Sequence, residues 1–192
     1  MTTTFIHPDQ LRHALDVALL AWAAVEACLR IVNRDGERGG DWTLFVVVGS
    51  VIAGINLGFR ATHATGYGLG HPTALGLLGL ALVVAGAALR IWSILTLGRL
   101  FTFAVTIQAD HRIVDRGPYR ILRHPGYAGG LVALAGTGIA LDNGLSLAAL
   151  LLIPLAGVLI RIPVEEGRLT RSLGHGYRAY AAGTWRLVPH LW

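Results

Sequence analysis

Residues 117–127, with the sequence GPYRILRHPGY, place two arginines, a histidine and two tyrosines at the start of an apolar segment. Pro125 biases the preceding His124 away from helical geometry and suits the first turn of a helix. The N-terminus of such a helix has free N–H groups and a positive dipole, which can bind the carboxylate of an amino-acid-like cofactor. Arg123 adds charge, and His124 and Tyr119 add hydrogen-bond donors and an aromatic wall. A basic loop that contacts lipid headgroups explains the same residues, so this segment alone leaves both interpretations open.

A second polar cluster, residues 161–166 with the sequence RIPVEE, lies at the end of the last apolar segment. Arg161 and Glu165 are four residues apart and share a face on a continuous helix, although Pro163 between them predicts a kink. An acidic pair beside an arginine can bind ribose hydroxyls and an anionic group of a substrate. Taken alone, the same pattern favours a solvated salt-bridge cluster that caps the helix.

Nucleophilic and metal chemistry find no support in the sequence. The GxSxG motif is absent, and the single cysteine, Cys28, excludes an internal disulfide and a cysteine-based metal cage. His111, His124, His175 and His190 lack the helical i,i+4 pairing of metal ligands. No metal site is therefore predicted.

The composition is typical of an integral membrane protein. Of the 192 residues, 54% are hydrophobic and 14% are charged, whereas soluble domains contain about 25% charged residues. Five apolar segments are candidates for membrane helices, namely residues 14–32, 43–59, 73–97, 127–141 and 145–162. The turn signal Asp142-Asn143-Gly144 predicts that the last two form a tight helical hairpin. We therefore predict an all-α integral membrane protein with about five transmembrane helices.

The remaining organisation follows from this pattern. We predict one membrane domain over residues 1–192, with three transmembrane helices in residues 1–97 and a cofactor-binding core in residues 98–192. Residues 163–192 are polar, and four-residue spacing of Leu169, Leu173 and Tyr177 predicts a short helix against the membrane surface or the protein. Gly174 and Gly176 are predicted to break that helix. Other glycines are predicted to permit close helix packing: Gly76, Gly79, Gly126, Gly129 and Gly130.

Every cationic residue is an arginine, and the formal net charge is +5. Arginine often binds nucleic acid, but here the arginines stand between apolar segments, as the positive-inside rule describes. No nucleic-acid partner is therefore predicted. With five crossings, one side carries Arg30, Arg34, Arg38, Arg99, Arg112, Arg116, Arg120, Arg123, Arg161, Arg168, Arg171, Arg178 and Arg186, and the other carries Arg12 and Arg60. This asymmetry predicts that the C-terminal segment is cytoplasmic.

The two polar clusters and their flanks together resemble the isoprenylcysteine carboxyl methyltransferase family and, more broadly, its phospholipid N-methyltransferase relatives. The resemblance covers residues 97–189, roughly half of the chain. It rests on Leu97-Gly98-Arg99 with Phe101, residues 110–114 (DHRIV), 117–119 (GPY) and 123–129 (RHPGYAG), Glu165-Glu166, Leu169, Gly174, Tyr177, Tyr180 and residues 186–189 (RLVP).

The resemblance implies methyl transfer from S-adenosylmethionine to a lipophilic acceptor, with S-adenosylhomocysteine as product. The family binds the cofactor at the cytoplasmic face, beside a lipophilic tunnel that opens into the bilayer. By position, it implies cofactor contacts from Gln108, His111, Arg112, Ile113, Val114, Tyr119, His124, Pro125, Gly126, Tyr127 and Glu165. Arg161 matches the arginine that engages the carboxylate of the substrate, and it is the residue assigned to catalysis.

The acceptor is expected to be a carboxylate of a lipophilic small molecule or a lipid-linked substrate. A carboxylate is ionised at neutral pH and needs no base, whereas an amine needs one, and Arg161 is cationic. Phospholipid amine N-methylation is the first alternative. A membrane reductase that uses NADPH is disfavoured, because Ala128-Gly129-Gly130 stands where such enzymes carry a glutamate. A membrane scaffold without catalysis does not explain why both clusters occur together.

The cellular setting is a further expectation. All-arginine usage and small size indicate a bacterial or archaeal cytoplasmic membrane, with membrane lipids as neighbours and the active site facing the cytoplasm. The identity of the acceptor and the oligomeric state stay open.

Overall fold

The structure, a computed structural model, describes residues 13–20, 22, 42–64, 72–101 and 113–192. The predictions for Cys28, Gln108, His111 and Arg112 lie outside the described residues. Within the described ranges, the only bridge between extended residues is an isolated one, which joins Leu122 to Trp185. The predicted all-α class is confirmed for this part of the chain.

Helices make up most of the described structure. Helix α1 is seen as helical residues 13–20 and 22. The later helices are α2 (Trp42–Ala64), α3 (Pro72–Leu97), α4 (Pro125–Ala140) and α5 (Gly144–Ala182), with 3-10 turns at Gly98–Leu100 and Gly117–Arg120.

Three of the described helical segments are long and apolar enough to cross a membrane: Trp42–Thr62, Thr73–Leu97 and Gly144–Ala182. Helix α4 has 16 residues and is therefore about 24 Å long, somewhat shorter than the hydrocarbon core of about 30 Å. The membrane character is thus supported, and five crossings stays a prediction.

Helix α5 extends further than the sequence predicted. The last apolar segment was expected to end at residue 162 and to be followed by a separate short helix, but the helix that begins at Gly144 continues past residue 162 as far as a kink at Gly174, and a second helical stretch follows to Ala182. Helix α5 passes through two prolines, and one of them, Pro154, is fully buried. A proline removes one backbone hydrogen bond, and a membrane helix tolerates that loss when packing and neighbouring groups compensate.

The expected interruption of this helix occurs at Gly174. Its φ of 57° and ψ of −126° are non-helical, and this region of backbone space is open almost only to glycine. Gly176, by contrast, remains helical, so the predicted break at Gly176 is wrong. There the missing side chain makes room for Ile113, whose Cδ1 would lie 3.1 Å from a Cβ added at that position.

The turn between α4 and α5 confirms the predicted helical hairpin. Asn143 caps α5, since its side-chain oxygen accepts a hydrogen bond from the Ser146 backbone N–H at 3.0 Å. Because the two helices run antiparallel from this turn, the beginning of α4 is brought beside the stretch of α5 that contains the second polar cluster. The hairpin thus unites the two clusters identified in the sequence.

Glycines bring α3 and α4 into backbone contact. A Cβ at Gly86 would lie 2.5 Å from both the Ala133 nitrogen and the Gly129 oxygen, and one at Gly79 would lie 2.5 Å from the Gly136 oxygen. The packing role predicted for Gly79 and Gly129 is therefore confirmed. Gly76 is buried. A Cβ at Gly126 or Gly130 would meet neighbours only at 3.9 Å or beyond, so the prediction of close packing is wrong for these two.

Residues 183–192 return to the start of α4. The Trp185 N–H donates to the Ile121 oxygen at 2.9 Å, and the His124 N–H donates to the Arg186 oxygen at 3.0 Å. Leu187 is buried against Val158 and Ile162 of α5. This return segment holds the loop before α4 in place through backbone hydrogen bonds.

Candidate active site

His124 occupies the N-cap of α4, and Pro125 occupies the first turn. The His124 carbonyl accepts hydrogen bonds from the backbone N–H groups of Tyr127 and Ala128, both at 3.1 Å. The imidazole does not cap the helix but stacks on the Tyr127 ring, with centroids 5.7 Å apart and planes 21° apart. The backbone geometry predicted from Pro125 is therefore present.

The first side-chain cluster lies between α4 and α5. Tyr127 donates its hydroxyl hydrogen to Glu165 Oε2 at 2.8 Å, and the Arg161 Nε donates to the same tyrosine oxygen. Arg161 Nε is also 3.7 Å from Glu165 Oε2, which confirms that these two residues share a helix face across Pro163. Arg161 is only 3% exposed. A cation this deeply buried requires such partners.

A separate group of charged side chains surrounds Glu166. Its Oε1 accepts hydrogen bonds from Arg123 Nε at 2.7 Å and pairs with His124 Nε2 at 3.2 Å. Its Oε2 accepts from Arg186 Nε at 3.0 Å. Neighbouring residues on a helix point about 100° apart, so the two carboxylates of the acidic pair serve different clusters. Glu166 thereby joins the loop before α4, helix α5 and the return segment.

Arg123 also anchors the end of α5. Its NH1 donates to the Ala181 oxygen at 2.7 Å and to the Thr184 oxygen. Together with its bond to Glu166, these contacts make Arg123 a link between the loop before α4 and the end of α5. The sequence predicted that the charge of Arg123 would contribute to cofactor binding. In the structure, that charge pairs with Glu166 and with backbone oxygens of the protein.

Tyr119 and the tyrosines of α5 form an aromatic layer beside these clusters. Tyr180 donates its hydroxyl hydrogen to the Tyr119 carbonyl oxygen at 2.8 Å, and its ring centroid is 6.0 Å from that of Tyr177. Burial raises the pKa of the Tyr119 hydroxyl well above its usual range, and the negative charge of Glu165 raises it further. Tyr119 is therefore protonated at neutral pH and remains a hydrogen-bond donor.

The approach to the 3-10 turn is held between α3 and α5. Ile113 and Val114 are half-buried, and Ile113 packs on Gly176 of α5. Gly117 has a φ of 56° and fits against Thr96 and Trp92 near the end of α3, where a Cβ would lie 3.0 Å from Thr96 Oγ1. These contacts bring residues 113–119 to the same end of the helices as His124 and Glu165.

Arg90 contributes a further cation at the N-terminus of α4. Its NH1 donates to the Gly126 carbonyl oxygen at 3.1 Å. Gly126 is half-buried, and a Cβ added there would be in ordinary van der Waals contact with Arg90 and Ser93, both at 3.9 Å. The positive charge of Arg90 adds to the positive dipole of the helix at this position.

The structure thus brings most of the predicted residues together at one end of the helical bundle. His124, Pro125, Gly126, Tyr127, Arg161 and Glu165 lie around the α4–α5 contact, with Tyr119, Ile113 and Val114 beside them. Their roles stay predictions. Among the described residues, no group of three histidine, cysteine or acidic side chains is placed to hold a metal ion.

Three contributors were missed in the sequence. Thr43 lies 118 positions from its partner Arg161, and nothing in its local sequence signals the contact. Glu166 was considered only as part of the acidic pair and Arg186 only as a motif position, so the contact between them was missed. The acidic pair could have predicted the role of Glu166, because each of two adjacent carboxylates near a membrane needs a cationic partner.

The part of the chain that contains this site is similar to known proteins. Residues 77–171 match the sequence profile of the isoprenylcysteine carboxyl methyltransferase family. A probable protein-S-isoprenylcysteine O-methyltransferase of Oryza sativa subsp. indica is 38% identical over 106 residues, which cover 54% of this chain and 56% of the relative. Protein-S-isoprenylcysteine O-methyltransferase B of Arabidopsis thaliana is 37% identical over 105 residues, which cover 54% and 53%. This chain spans about half the length of the curated relatives it matches.

A solved structure shares the fold. It is that of the eukaryotic intramembrane Ras methyltransferase, isoprenylcysteine carboxyl methyltransferase, with a TM-score of 0.72 and 23% sequence identity. The likeness covers 98% of this chain and 70% of the other, so it extends to the helices before residue 77. The resemblance predicted from the motifs is confirmed, because residues 77–171 match the isoprenylcysteine carboxyl methyltransferase family.

Proposed function

We propose that this protein transfers a methyl group from S-adenosylmethionine to the carboxylate of a lipophilic acceptor. The observation that carries the proposal is the cluster between α4 and α5 in which buried Arg161 contacts the half-buried Tyr127 and Glu165. It combines a cation, a hydroxyl and a carboxylate within the segment that matches the family. The relatives that share this segment are named as O-methyltransferases of S-isoprenylcysteine.

The residues present fit such a cofactor. The first turn of α4, with Arg90 beside Gly126, offers the positive end of the helix dipole and a cationic side chain to an amino-acid carboxylate. Glu165 is a quarter exposed, with 25% of its side chain accessible, and its carboxylate can accept hydrogen bonds from ribose hydroxyls. Tyr119 supplies an aromatic wall and a protonated hydroxyl. A zwitterionic, ribose-containing molecule matches this combination of donors and acceptors.

Arg161 is the residue proposed to orient the acceptor. When bound, the cofactor supplies an electrophilic methyl group on a sulphonium. An ionised carboxylate attacks such a group without a general base, so the protein's contribution is alignment and exclusion of water. Arg161 can hold the carboxylate through its guanidinium fork, while Tyr127 and Glu165 fix the guanidinium. The 3% exposure of Arg161 keeps this pairing away from bulk water and strengthens it.

The surroundings of the site support a lipophilic acceptor. The helices that lead to it expose large apolar side chains, including Phe45, Leu95 and Leu152, and three described segments can cross a membrane. An acceptor with a long hydrocarbon group would reach the site from the lipid. The arginines Arg116, Arg120, Arg123, Arg168, Arg171 and Arg178 lie in the elements at this same end, which supports a cytoplasmic active site under the positive-inside rule.

Calorimetric binding to the full chain in detergent tests the proposal. We expect saturable binding of S-adenosylhomocysteine and none of NADPH. Glu165→Gln should weaken S-adenosylhomocysteine binding about tenfold, because a hydrogen bond to a charged group is lost, while Arg178→Gln on the exposed face of α5 should bind as wild type. Binding of NADPH alone would indicate that the protein is a membrane reductase. Binding of neither ligand would remove the enzymatic proposal.

A further inference from the structure

Arg161 is held from a third direction by a residue of α2. Its NH1 donates a hydrogen bond to Thr43 Oγ1 at 3.1 Å, although the two residues are 118 positions apart in sequence. Thr43 is fully buried, at 0% exposure. It stands before residue 77, where the match to the family begins.

We propose that Thr43 is a positioning residue that sets the orientation of Arg161 and thereby the affinity for the acceptor. The inference rests on the proposed function and deepens it, since it concerns the group that would bind the carboxylate. Thr43 acts through Arg161 and does not itself contact reacting atoms.

The geometry gives Thr43 this role because the guanidinium of Arg161 is hydrogen-bonded at two different nitrogens. Nε is bound by the Tyr127 hydroxyl on α4, and NH1 is bound by Thr43 on α2. Arginine has a long side chain with many rotamers. Two hydrogen bonds from separate helices fix both the position and the plane of the fork, and paired binding of a carboxylate depends on that plane.

The contact between α2 and α5 holds Thr43 in this place. Proceeding along α2 from Thr43, an added Cβ at Gly54 would lie 3.0 Å from Pro154, and one at Gly58 would lie 2.8 Å from Leu150. Each step up α2 thus meets an earlier residue of α5, as in two antiparallel helices in fixed register. Ser146 near the start of α5 completes the series by donating to the Gly58 oxygen at 2.7 Å.

Because the backbone of α2 packs directly on side chains of α5 at these two glycines, a shift of α2 along α5 would produce clashes. The register therefore presents the Thr43 hydroxyl to Arg161 as a fixed acceptor. In this arrangement α2, which lies outside the matched segment, sets the orientation of Arg161, which lies inside it.

Kinetics of the purified full chain test the inference, with an S-farnesylcysteine bearing a free carboxyl as the acceptor. Thr43→Val keeps the shape of the side chain and removes its hydroxyl. We expect the KM for the acceptor to rise about tenfold, with the Kd for S-adenosylhomocysteine within about twofold of wild type, since a purely structural defect would disturb both. Thr43→Ser keeps the oxygen and should restore the wild-type KM.

The control is Thr137→Val. Thr137 is also buried, at 2% exposure, but its hydroxyl donates to the Ala133 oxygen within α4, near the opposite end of that helix. The KM of Thr137→Val for the acceptor should equal that of the wild type. If Thr43→Val does not fold, Thr43→Ser and Thr43→Ala give the same comparison, because they differ only in the oxygen.

The outcomes separate the two proposals. An unchanged acceptor KM in Thr43→Val, or an equal loss in Thr43→Val and Thr43→Ser, overturns the role of Thr43 while methylation by the wild type stands. Absence of methyl transfer in the wild type overturns the proposed function itself.

Discussion

Glu166 offers the sharpest test of how the site is held together. Its carboxylate accepts hydrogen bonds from Arg123 and Arg186 and pairs with His124. The side chains of Glu166, Arg123 and His124 are 12%, 10% and 4% exposed, so the pairing is largely protected from water. Glu166→Gln preserves the shape of the side chain but removes the charge that both arginines require.

The size of the effect follows from these contacts. Removing one partner of a buried ion pair costs about 3–5 kcal/mol, and glutamine retains one acceptor oxygen, so we expect about 3 kcal/mol. For a chain of 192 residues, each kcal/mol lowers Tm by about 2–4 °C. The expected fall in Tm is therefore about 6–12 °C.

Thermal unfolding of the full chain in one detergent measures this directly. Arg178→Gln is the matched control, because it changes one charge at an exposed position of the same helix and should leave Tm nearly unchanged. If Glu166→Gln unfolds at the same temperature as the control, Glu166 does not join the three segments as described.

Two further predictions concern the acceptor and the packing. Arg161→Gln should raise the KM for the acceptor at least about tenfold and leave the Kd for S-adenosylhomocysteine nearly unchanged; a larger loss of cofactor binding than of turnover would show that its role is misassigned. Gly86→Ala should destabilise the protein by about 1–3 kcal/mol, because the new Cβ meets backbone atoms of Ala133 and Gly129 at 2.5 Å. Gly49→Ala, with nothing within 4 Å, should not lower Tm, and equal Tm values for the two variants would contradict the close α3–α4 contact.

Much of the fold could be predicted because its signals are local. The turn at Asp142-Asn143-Gly144 identified the α4–α5 hairpin, and the spacing of Arg161 and Glu165 identified their shared face. Gly174 was recognised as an interruption. Each of these depends on only a few neighbouring residues, so one sequence is sufficient to detect it.

The remaining features depend on contacts between distant segments. The polar composition after Ile162 suggested a helix end and Pro163 suggested a kink, whereas the helix continues to Gly174 with Arg161 and Glu166 buried against other elements. Thr43 resembles any threonine in the first turn of a helix, and its contact with Arg161 follows from the α2–α5 register. Periodicity along one segment carries no information about such a register.

Carboxyl methylation by this protein is tested most directly by the transfer of a labelled methyl group. The purified full chain would be incubated with methyl-labelled S-adenosylmethionine and either S-farnesylcysteine, its carboxamide, or a phospholipid with a primary amine headgroup. A methyl ester releases labelled methanol in base, whereas an N-methyl group is stable there. We predict base-labile label in the free-carboxyl acceptor alone, and loss of most of that label in Arg161→Gln at low acceptor concentration. Base-stable label in the amine phospholipid, without ester formation, would contradict the claim and assign the protein to N-methylation.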